Sequence, residues 1–208
     1  METRERELAV RLARRSLEAA VRGEDRAPTE PLLAGLPAVF AEPRGVFVTL
    51  TRHPSEELRG CIGFPLPTYP LGEALQRAAA GAALEDPRFP PVRPPELDRI
   101  SLEVSVLTSP EPIGARGRGD LPARIQVGRD GLVVEGLGSS GLLLPQVAPE
   151  QGWDAAEFLS ETCRKAGLRS DAWLDLRVQV FRFQAEVFGE ERPNGPVVPH
   201  APVPAPHR

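Results

Sequence analysis

The sequence predicts an α+β fold in which antiparallel strands form the sheet and helices flank it. Its candidate strands occur in hairpin-linked groups, and no regular alternation of strand and helix runs along the chain. Parallel, doubly wound folds need that alternation, because a helix carries the chain back to the start of each new strand. The pattern therefore favours antiparallel pairing.

The first half of the chain supplies a helix, a hairpin and a second helix. Residues 4–22 place apolar side chains on one broad side and arginines on the other, which indicates an amphipathic helix. Strand-forming residues at 45–51 and 57–64 flank a short turn and predict a hairpin. From Pro70, an alanine-rich stripe predicts a helix that ends before Pro87.

The second half supplies further strands and one more helix. Residues 100–107 alternate strictly between apolar and polar side chains, so we expect a strand with one wet or functional face. Ile125–Val127 and Leu132–Glu135 flank a turn signal and predict a hairpin. A capped helix covers about 155–166. The apolar alternation of Leu176–Phe188 changes phase, which predicts a bulge near its middle.

A G-x-G-x-x-G pattern at Gly136–Gly141 follows a predicted strand, as it does in dinucleotide-binding folds. Such a site also needs a helix that opens at the last glycine. Pro145 stands where that helix would run. We therefore interpret the segment as a hairpin loop. The other glycine-rich stretch, Gly114–Asp120, is predicted to be a flexible loop that carries two arginines.

Composition excludes several classes of protein. The 208 residues are 41% hydrophobic, which is typical of a globular chain, and no apolar run approaches the roughly 20 residues of a membrane span. A net charge of −4 argues against a general nucleic-acid binder. The charged N-terminus lacks an apolar signal region, so we expect a cytoplasmic protein. Residues 1–191 form the predicted domain, and the proline-rich residues 192–208 a disordered tail.

Histidine and cysteine are too few for a conventional metal site. His200 and His207 lie in the predicted tail, which leaves His53 as the only histidine of the folded part. Two cysteines, Cys61 and Cys163, do not make a disulfide framework in a chain of this size. Zinc sites need four such ligands, or three and a water. We therefore predict no metal and no cofactor, and we place Cys163 on the buried stripe of its helix.

The segment Leu58-Arg-Gly-Cys-Ile-Gly63 carries the main candidate site. Regular strand alternation turns Leu58 and Ile62 towards the core, and it places Arg59 and Cys61 on the outer face about 7 Å apart. A neighbouring guanidinium stabilises a thiolate, which is the reactive form of cysteine. A structural cysteine beneath a packed loop accounts for the same spacing equally well.

Small residues in the same segment, Gly60 and Gly63, leave room for a ligand or for another backbone, and we count them as binding candidates. His53 is a poor base for Cys61. If Arg52 pairs with Glu57, Cys61 lies opposite Val48 and roughly 16 Å from His53.

Three further residues complete the candidate site. Glu103, on the polar face of its strand, is the expected partner of Arg59 if the two strands are neighbours, and otherwise a residue that faces water. Asp86 and Arg88 flank Pro87 after the second helix. A structural corner is the favoured interpretation of these two, because polar residues beside proline commonly shape turns. We also count both as binding candidates, with Arg88 as the expected ligand contact.

Several ordered blocks resemble the AMMECR domain, the family named from the AMME-syndrome candidate gene. The resemblance covers about residues 5–190. Its blocks are Gly45–Phe64, Glu85–Pro91, Leu102–Leu107, Gly141–Trp153, Phe158–Leu159 and Cys163–Leu168. Short microbial members of this family are called protein A of the AmmeMemoRadiSam system.

This resemblance implies a two-lobed α+β architecture with a cleft between the lobes. It implies association with a Memo-like protein and a radical-SAM enzyme, whereas it supplies no established catalytic residue. Two functional hypotheses follow. One is a binding or accessory module that uses the Arg59/Cys61 hairpin face for a small-molecule, peptide or protein partner. The alternative is a thiol-dependent enzyme or carrier with Cys61 as nucleophile, Arg59 as anion holder and Glu103 as orienter or proton acceptor.

Overall fold

The computed structural model describes residues 1–24 and 35–199. Within them the chain forms two compact units, the first from residues 1–107 with 186–199 and the second from residues 108–185. Each unit contains an antiparallel sheet, so the predicted α+β class is confirmed. No helix among the described residues is both long and apolar enough to cross a membrane.

The α-helices and strands fall in the following places along the described chain. The helices are α1 (Thr3–Arg22), α2 (Leu71–Leu84), α3 (Val147–Gln151) and α4 (Ala155–Lys165). The strands are β1 (Val46–Arg52), β2 (Glu57–Phe64), β3 (Ile100–Leu107), β4 (Glu111–Pro112), β5 (Gly131–Gly136), β6 (Ser139–Leu143), β7 (Val178–Phe183), β8 (Ala185–Glu190) and β9 (Val197–Pro199). Short 3₁₀ helices connect several of these elements, and the one at Pro94–Arg99 leads into β3.

The first unit is built on a five-stranded sheet with the order β2-β1-β3-β8-β9. Every second residue of β1 points to one face, and Val46, Val48 and Leu50 are fully buried there against α2, in a core that also includes residues of α1. The alanine stripe of α2 lets this helix pack close to the strands. The opposite face of β1 carries residues 47, 49 and 51, which are half-buried. We call this opposite side the outer face of the sheet.

The amphipathic pattern of α1 has one exception. Arg14 is 5% exposed, and its guanidinium forms a buried ion pair with Glu190 on β8. The same guanidinium donates to the Ile100 carbonyl, and Glu190 accepts from the Leu102 amide. A buried charge needs a partner and hydrogen bonds, and Arg14 obtains both through its Nε and Nη2 atoms. This pair fastens α1 to two strands.

The second unit has a four-stranded sheet with the order β4-β7-β5-β6, packed against α4. Asp154 caps α4 through the amides of Ala156 and Glu157, as its position predicts. Cys163 is fully buried in the core of this unit, in agreement with the sequence. Residues 136–141 form the hairpin of β5 and β6, so the predicted hairpin loop is confirmed.

Three predictions differ from the structure. Ile125–Val127 is not a strand, because the chain there leaves a 3₁₀ helix and turns directly into β5. Leu176–Phe188 contains no bulge at its middle. It is two strands of two different sheets, β7 and β8, and the phase changes because the chain passes from one sheet to the other at Gln184.

The prediction of a disordered tail from residue 192 is wrong for Val197–Pro199. Val197–Pro199 pairs with β8 as β9, and Val197 packs against the core of the first unit. The remainder of the predicted tail, residues 200–208, lies outside the described residues.

Candidate functional site

A β-bulge in β2 changes the register that simple alternation predicts. Thr51 pairs with Leu58, and the residue before it in β1, Leu50, pairs with Gly60. Arg59 is therefore the extra residue, with no partner on β1. The antiparallel pairing of β1 and β2 is as predicted, but the faces on which Leu58 and Arg59 lie are not. Leu58 lies on the outer face with Thr51, whereas the sequence placed it in the core.

Arg59 is buried rather than displayed on the outer face. Its side chain is 2% exposed, and it donates two hydrogen bonds to the Glu96 carboxylate, from Nε at 2.9 Å and from Nη2 at 3.1 Å. These hydrogen bonds hold the pKa of Glu96 below its ordinary value. The expectation that Glu103 would pair with Arg59 depended on neighbouring strands. It is wrong, because β1 lies between β2 and β3.

Cys61 lies opposite Thr49 because of the bulge, and not opposite Val48 as the sequence predicts. The Thr49 hydroxyl donates to the Cys61 Sγ at 3.3 Å. Thr49 also pairs with Glu103 on its other side, so the three residues form a row across β2, β1 and β3. We call Cys61, Thr49 and Glu103 the thiol row. Its carboxylate is buried, with Glu103 only 8% exposed.

Thr49 is the site residue that the sequence reasoning missed. The alternation of β1 does place Thr49 on the polar side, together with Thr51. Strict alternation gives no sign of the bulge in β2. The bulge shifts the register by one residue and brings Cys61 beside Thr49 instead of beside Val48. A one-residue change of register moves every later side chain relative to the partner strand.

Asp86 and Arg88 bind the backbone of Cys61. The Cys61 amide donates to Asp86 Oδ2 at 2.8 Å, and Arg88 Nη2 donates to the Cys61 carbonyl at 3.4 Å. The two side chains are also paired with each other at 2.8 Å and 3.0 Å. β2 is an edge strand, and such edges expose unpaired amides and carbonyls. The Asp-Pro-Arg corner supplies a donor and an acceptor where a further strand would otherwise bind.

This corner is strongly polarised. The hydrogen bond from Arg88 is the main reason that the pKa of Asp86 falls to about 2 from 3.8. Asp86 is 5% exposed, so its charge is stabilised by these hydrogen bonds more than by water. The structure thus agrees with the favoured interpretation of these residues as a corner. Both side chains of this corner hydrogen-bond to the backbone of the candidate cysteine.

Burial raises the pKa of the Cys61 thiol above 9.0. The carboxylates of Asp86 and Glu103 raise it further, whereas the Thr49 hydrogen bond and the Arg88 charge lower it. Burial and the two carboxylates therefore favour the protonated thiol over the thiolate. This differs from the thiolate expected beside Arg59, because Arg59 is engaged with Glu96 and the nearby cation is Arg88.

The two glycines of the segment leave no room for a ligand. A Cβ on Gly60 would stand 2.1 Å from the Ala82 carbonyl of α2, so this glycine admits another backbone, which was one of its two predicted uses. A Cβ on Gly63 would stand 2.3 Å from the ring of Phe47. Protein atoms therefore occupy both spaces.

His53 lies at the far end of the hairpin, as predicted. It follows β1 four residues after Thr49, about 13 Å along an extended strand. Its amide donates to the Arg99 carbonyl. Among residues 1–24 and 35–199, no group of three or more histidine, cysteine or acidic side chains is arranged to hold a metal ion.

Comparisons with known proteins agree with one another. The AMMECR1 family model matches residues 10–188. A protein of Thermococcus gammatolerans is 57% identical over 92% of this chain and 93% of its own length. Protein TK0174 of Thermococcus kodakarensis is 56% identical with the same coverage. The crystal structure of the uncharacterised protein PH0010 from Pyrococcus horikoshii is similar, with a TM-score of 0.76 and 48% identity over 97% of this chain and 98% of that one.

Proposed function

This chain belongs to the AMMECR1 family, as its sequence blocks predict, and we propose that it is a binding and accessory module that recognises a partner through the outer face of its five-stranded sheet. At the centre of that face the half-buried Cys61 and Thr49 of the thiol row lie beside Thr51 and Leu58. Cys61 contributes to recognition as a neutral thiol and does no covalent chemistry in this proposal.

The state of the Cys61 sulfur carries the proposal. A nucleophilic cysteine needs a thiolate, and enzymes obtain it with a nearby base or cation. Here burial and two carboxylates raise the pKa of Cys61, and the histidine of the hairpin is remote. The alternative, a thiol-dependent enzyme or carrier, would need a substrate or partner to remove that proton.

Rigidity of the site also favours recognition. The backbone of Cys61 is held from outside by Asp86 and Arg88, and its side chain accepts from Thr49. A surface fixed in this way loses little conformational entropy when a partner binds, which strengthens binding. The expected partners are a Memo-like protein and a radical-SAM enzyme, because the family resemblance associates short microbial members with both.

A pull-down with a purified Memo-like protein and a radical-SAM enzyme from the same source tests this function. Thr51→Arg places a long charged side chain on the outer face and is expected to abolish capture. Ser140→Arg, at an exposed strand position of the other unit, is the matched control and is expected to leave capture unchanged. Cys61→Ser is expected to retain capture, since a hydroxyl keeps the polar contact with Thr49.

Two results would contradict the proposal. One is equal capture by Thr51→Arg and the unaltered protein. The other is a covalent adduct on Cys61, detected by intact-mass spectrometry after incubation with the partners and lost in Cys61→Ser. An adduct of that kind would establish the thiol carrier instead.

A further inference from the structure

The second unit contains an open cavity of about 440 Å³, and none of its lining residues belongs to the outer face of the first sheet. It lies between the loop that follows β4 and the start of β7, where the Ile113 amide donates to the Val180 carbonyl. Its lining is about equally polar and apolar. The apolar lining residues are Pro112, Ile113, Ala115, Leu121, Leu176 and Val180. A volume of this size is in the range of small-molecule sites.

Two arginines of the glycine-rich loop line the same cavity, Arg116 and Arg118. Arg118 Nη2 donates to the carbonyls of Val178 at 2.6 Å and Leu176 at 3.3 Å, which fixes its guanidinium beside the cavity. Arg116 is exposed, and it makes no hydrogen bond or ion pair with the part of the chain that the structure describes. One positive charge is thus held in place, and a second is free to reach a ligand.

Nearby acidic groups do not neutralise both arginines. Asp175 lies in the field of Arg118, but its carboxylate accepts three side-chain hydrogen bonds from Arg177. Those hydrogen bonds are the main reason that the pKa of Asp175 falls to about 2. Asp175 is therefore engaged with its own arginine, and the cavity lining contains two arginines and no acidic residue.

Leu176 gives the cavity an apolar rim. Its side chain is 82% exposed, the highest value among the large exposed hydrophobic side chains of the described residues. Scattered exposed leucines are ordinary, but this one lines a cavity with five other apolar residues and two guanidinium groups. An aliphatic body placed against Leu176 would remove that side chain from water.

From this arrangement we propose that the cavity binds a small organic anion with an aliphatic body and a carboxylate or phosphate head. The head accepts hydrogen bonds from Arg116 and Arg118, since the spacing of guanidinium donors matches the spacing of the oxygens in a carboxylate or a phosphate. The body lies along Leu121, Leu176 and Val180. This site belongs to the second unit alone and does not rest on the function proposed for the first.

Calorimetric titration of the full chain with octanoate and with octyl phosphate tests the proposal. We expect saturable binding of at least one of them, and the tighter of the two identifies the head group. Acetate and octanol, which each lack one half of the ligand, are expected to bind much more weakly. Amide chemical shifts in a heteronuclear NMR spectrum are expected to change mainly at residues 112–121 and 176–180.

Variants at exposed positions separate this site from general adsorption. Arg116→Gln is expected to weaken binding about tenfold, because a charged hydrogen bond is lost, and Leu176→Ser to weaken it as well. Arg164→Gln removes the same charge from α4, away from the cavity, and is expected to have no effect. Thermal melting checks that all three remain folded.

Three results would overturn the proposal. The first is no binding of either anion. The second is binding of octanol as tight as that of octanoate, which would remove the role of the arginines. The third is binding that neither Arg116→Gln nor Leu176→Ser weakens, which would locate the ligand elsewhere.

Discussion

Replacing Asp86 by asparagine is expected to destabilise the protein by an amount that can be worked out from the corner it forms. The variant keeps the shape of the side chain and an acceptor for the Cys61 amide, but it removes the charge that pairs with Arg88. In the folded protein the pKa of Asp86 is about 2, against 3.8 for the ordinary group. Each unit of difference corresponds to about 1.4 kcal/mol, so full ionisation contributes about 2 kcal/mol.

Solvent screening lowers that figure. The Asp86 side chain is 3% exposed, but that of Arg88 is 46% exposed, and water weakens the attraction between charges on such a pair. We therefore expect Asp86→Asn to cost about 1–2 kcal/mol of unfolding free energy at pH 7, measured by urea denaturation with circular dichroism. Asp175→Asn is the matched control. Its pKa is lowered in the same way, but its carboxylate lies at the surface beside the largely exposed Arg177, where water screens the pair, so we expect little change in stability.

The pH dependence gives the sign of the effect. A carboxyl whose folded-state pKa is depressed stabilises the fold above its unfolded pKa, and that contribution is lost as pH falls towards the folded pKa. The difference between the unaltered protein and Asp86→Asn should therefore shrink from about pH 4 to about pH 2. If the two proteins differ by less than about 0.5 kcal/mol at pH 7, or keep the same difference at pH 2.5, the corner does not work as described.

Two further substitutions test the geometry around the thiol. Gly60→Ala is expected to cost about 3 kcal/mol or more of unfolding free energy in urea denaturation, because its Cβ would meet the Ala82 carbonyl. Gly119→Ala is the control and should be nearly neutral, since nothing lies within 4 Å of its Cβ position. Equal effects of the two substitutions would contradict the close packing at Gly60. Thr49→Val removes a hydrogen bond that lowers the pKa of Cys61, so thiolate absorbance at 240 nm should appear at higher pH than in the unaltered protein; an unchanged titration would mean that this contact is absent in solution.

Periodic features of the sequence predicted most of the local structure. The apolar stripes of α1, α2 and α4 and the paired strands of the first hairpin lie where the patterns place them. Each of these elements buries one continuous stripe, so its own residues carry the signal. The family blocks predicted the AMMECR1 family, which the comparisons confirm.

Long-range pairing was the part that local pattern did not contain. Arg59 looks like an outward residue until a bulge turns it towards Glu96, and nothing in the strand itself signals that shift. Arg14 pairs with Glu190, which lies 176 residues away along the chain. The phase change at Gln184 reflects two separate sheets, and a single-strand interpretation cannot distinguish that from a bulge. The charge state of Cys61 depends on the bulge, which places the thiol beside Thr49.

The titration of the Cys61 thiol tests the central claim most directly. In a Cys163→Ala background, absorbance at 240 nm and the rate of iodoacetamide alkylation would be followed against pH in the folded protein. We expect the Cys61 pKa above 9.0, and alkylation at pH 7 slower than that of an unfolded control, because burial and two carboxylates favour the neutral thiol. A thiolate already present at pH 7, and lost in Arg59→Leu with the fold intact, would contradict the account.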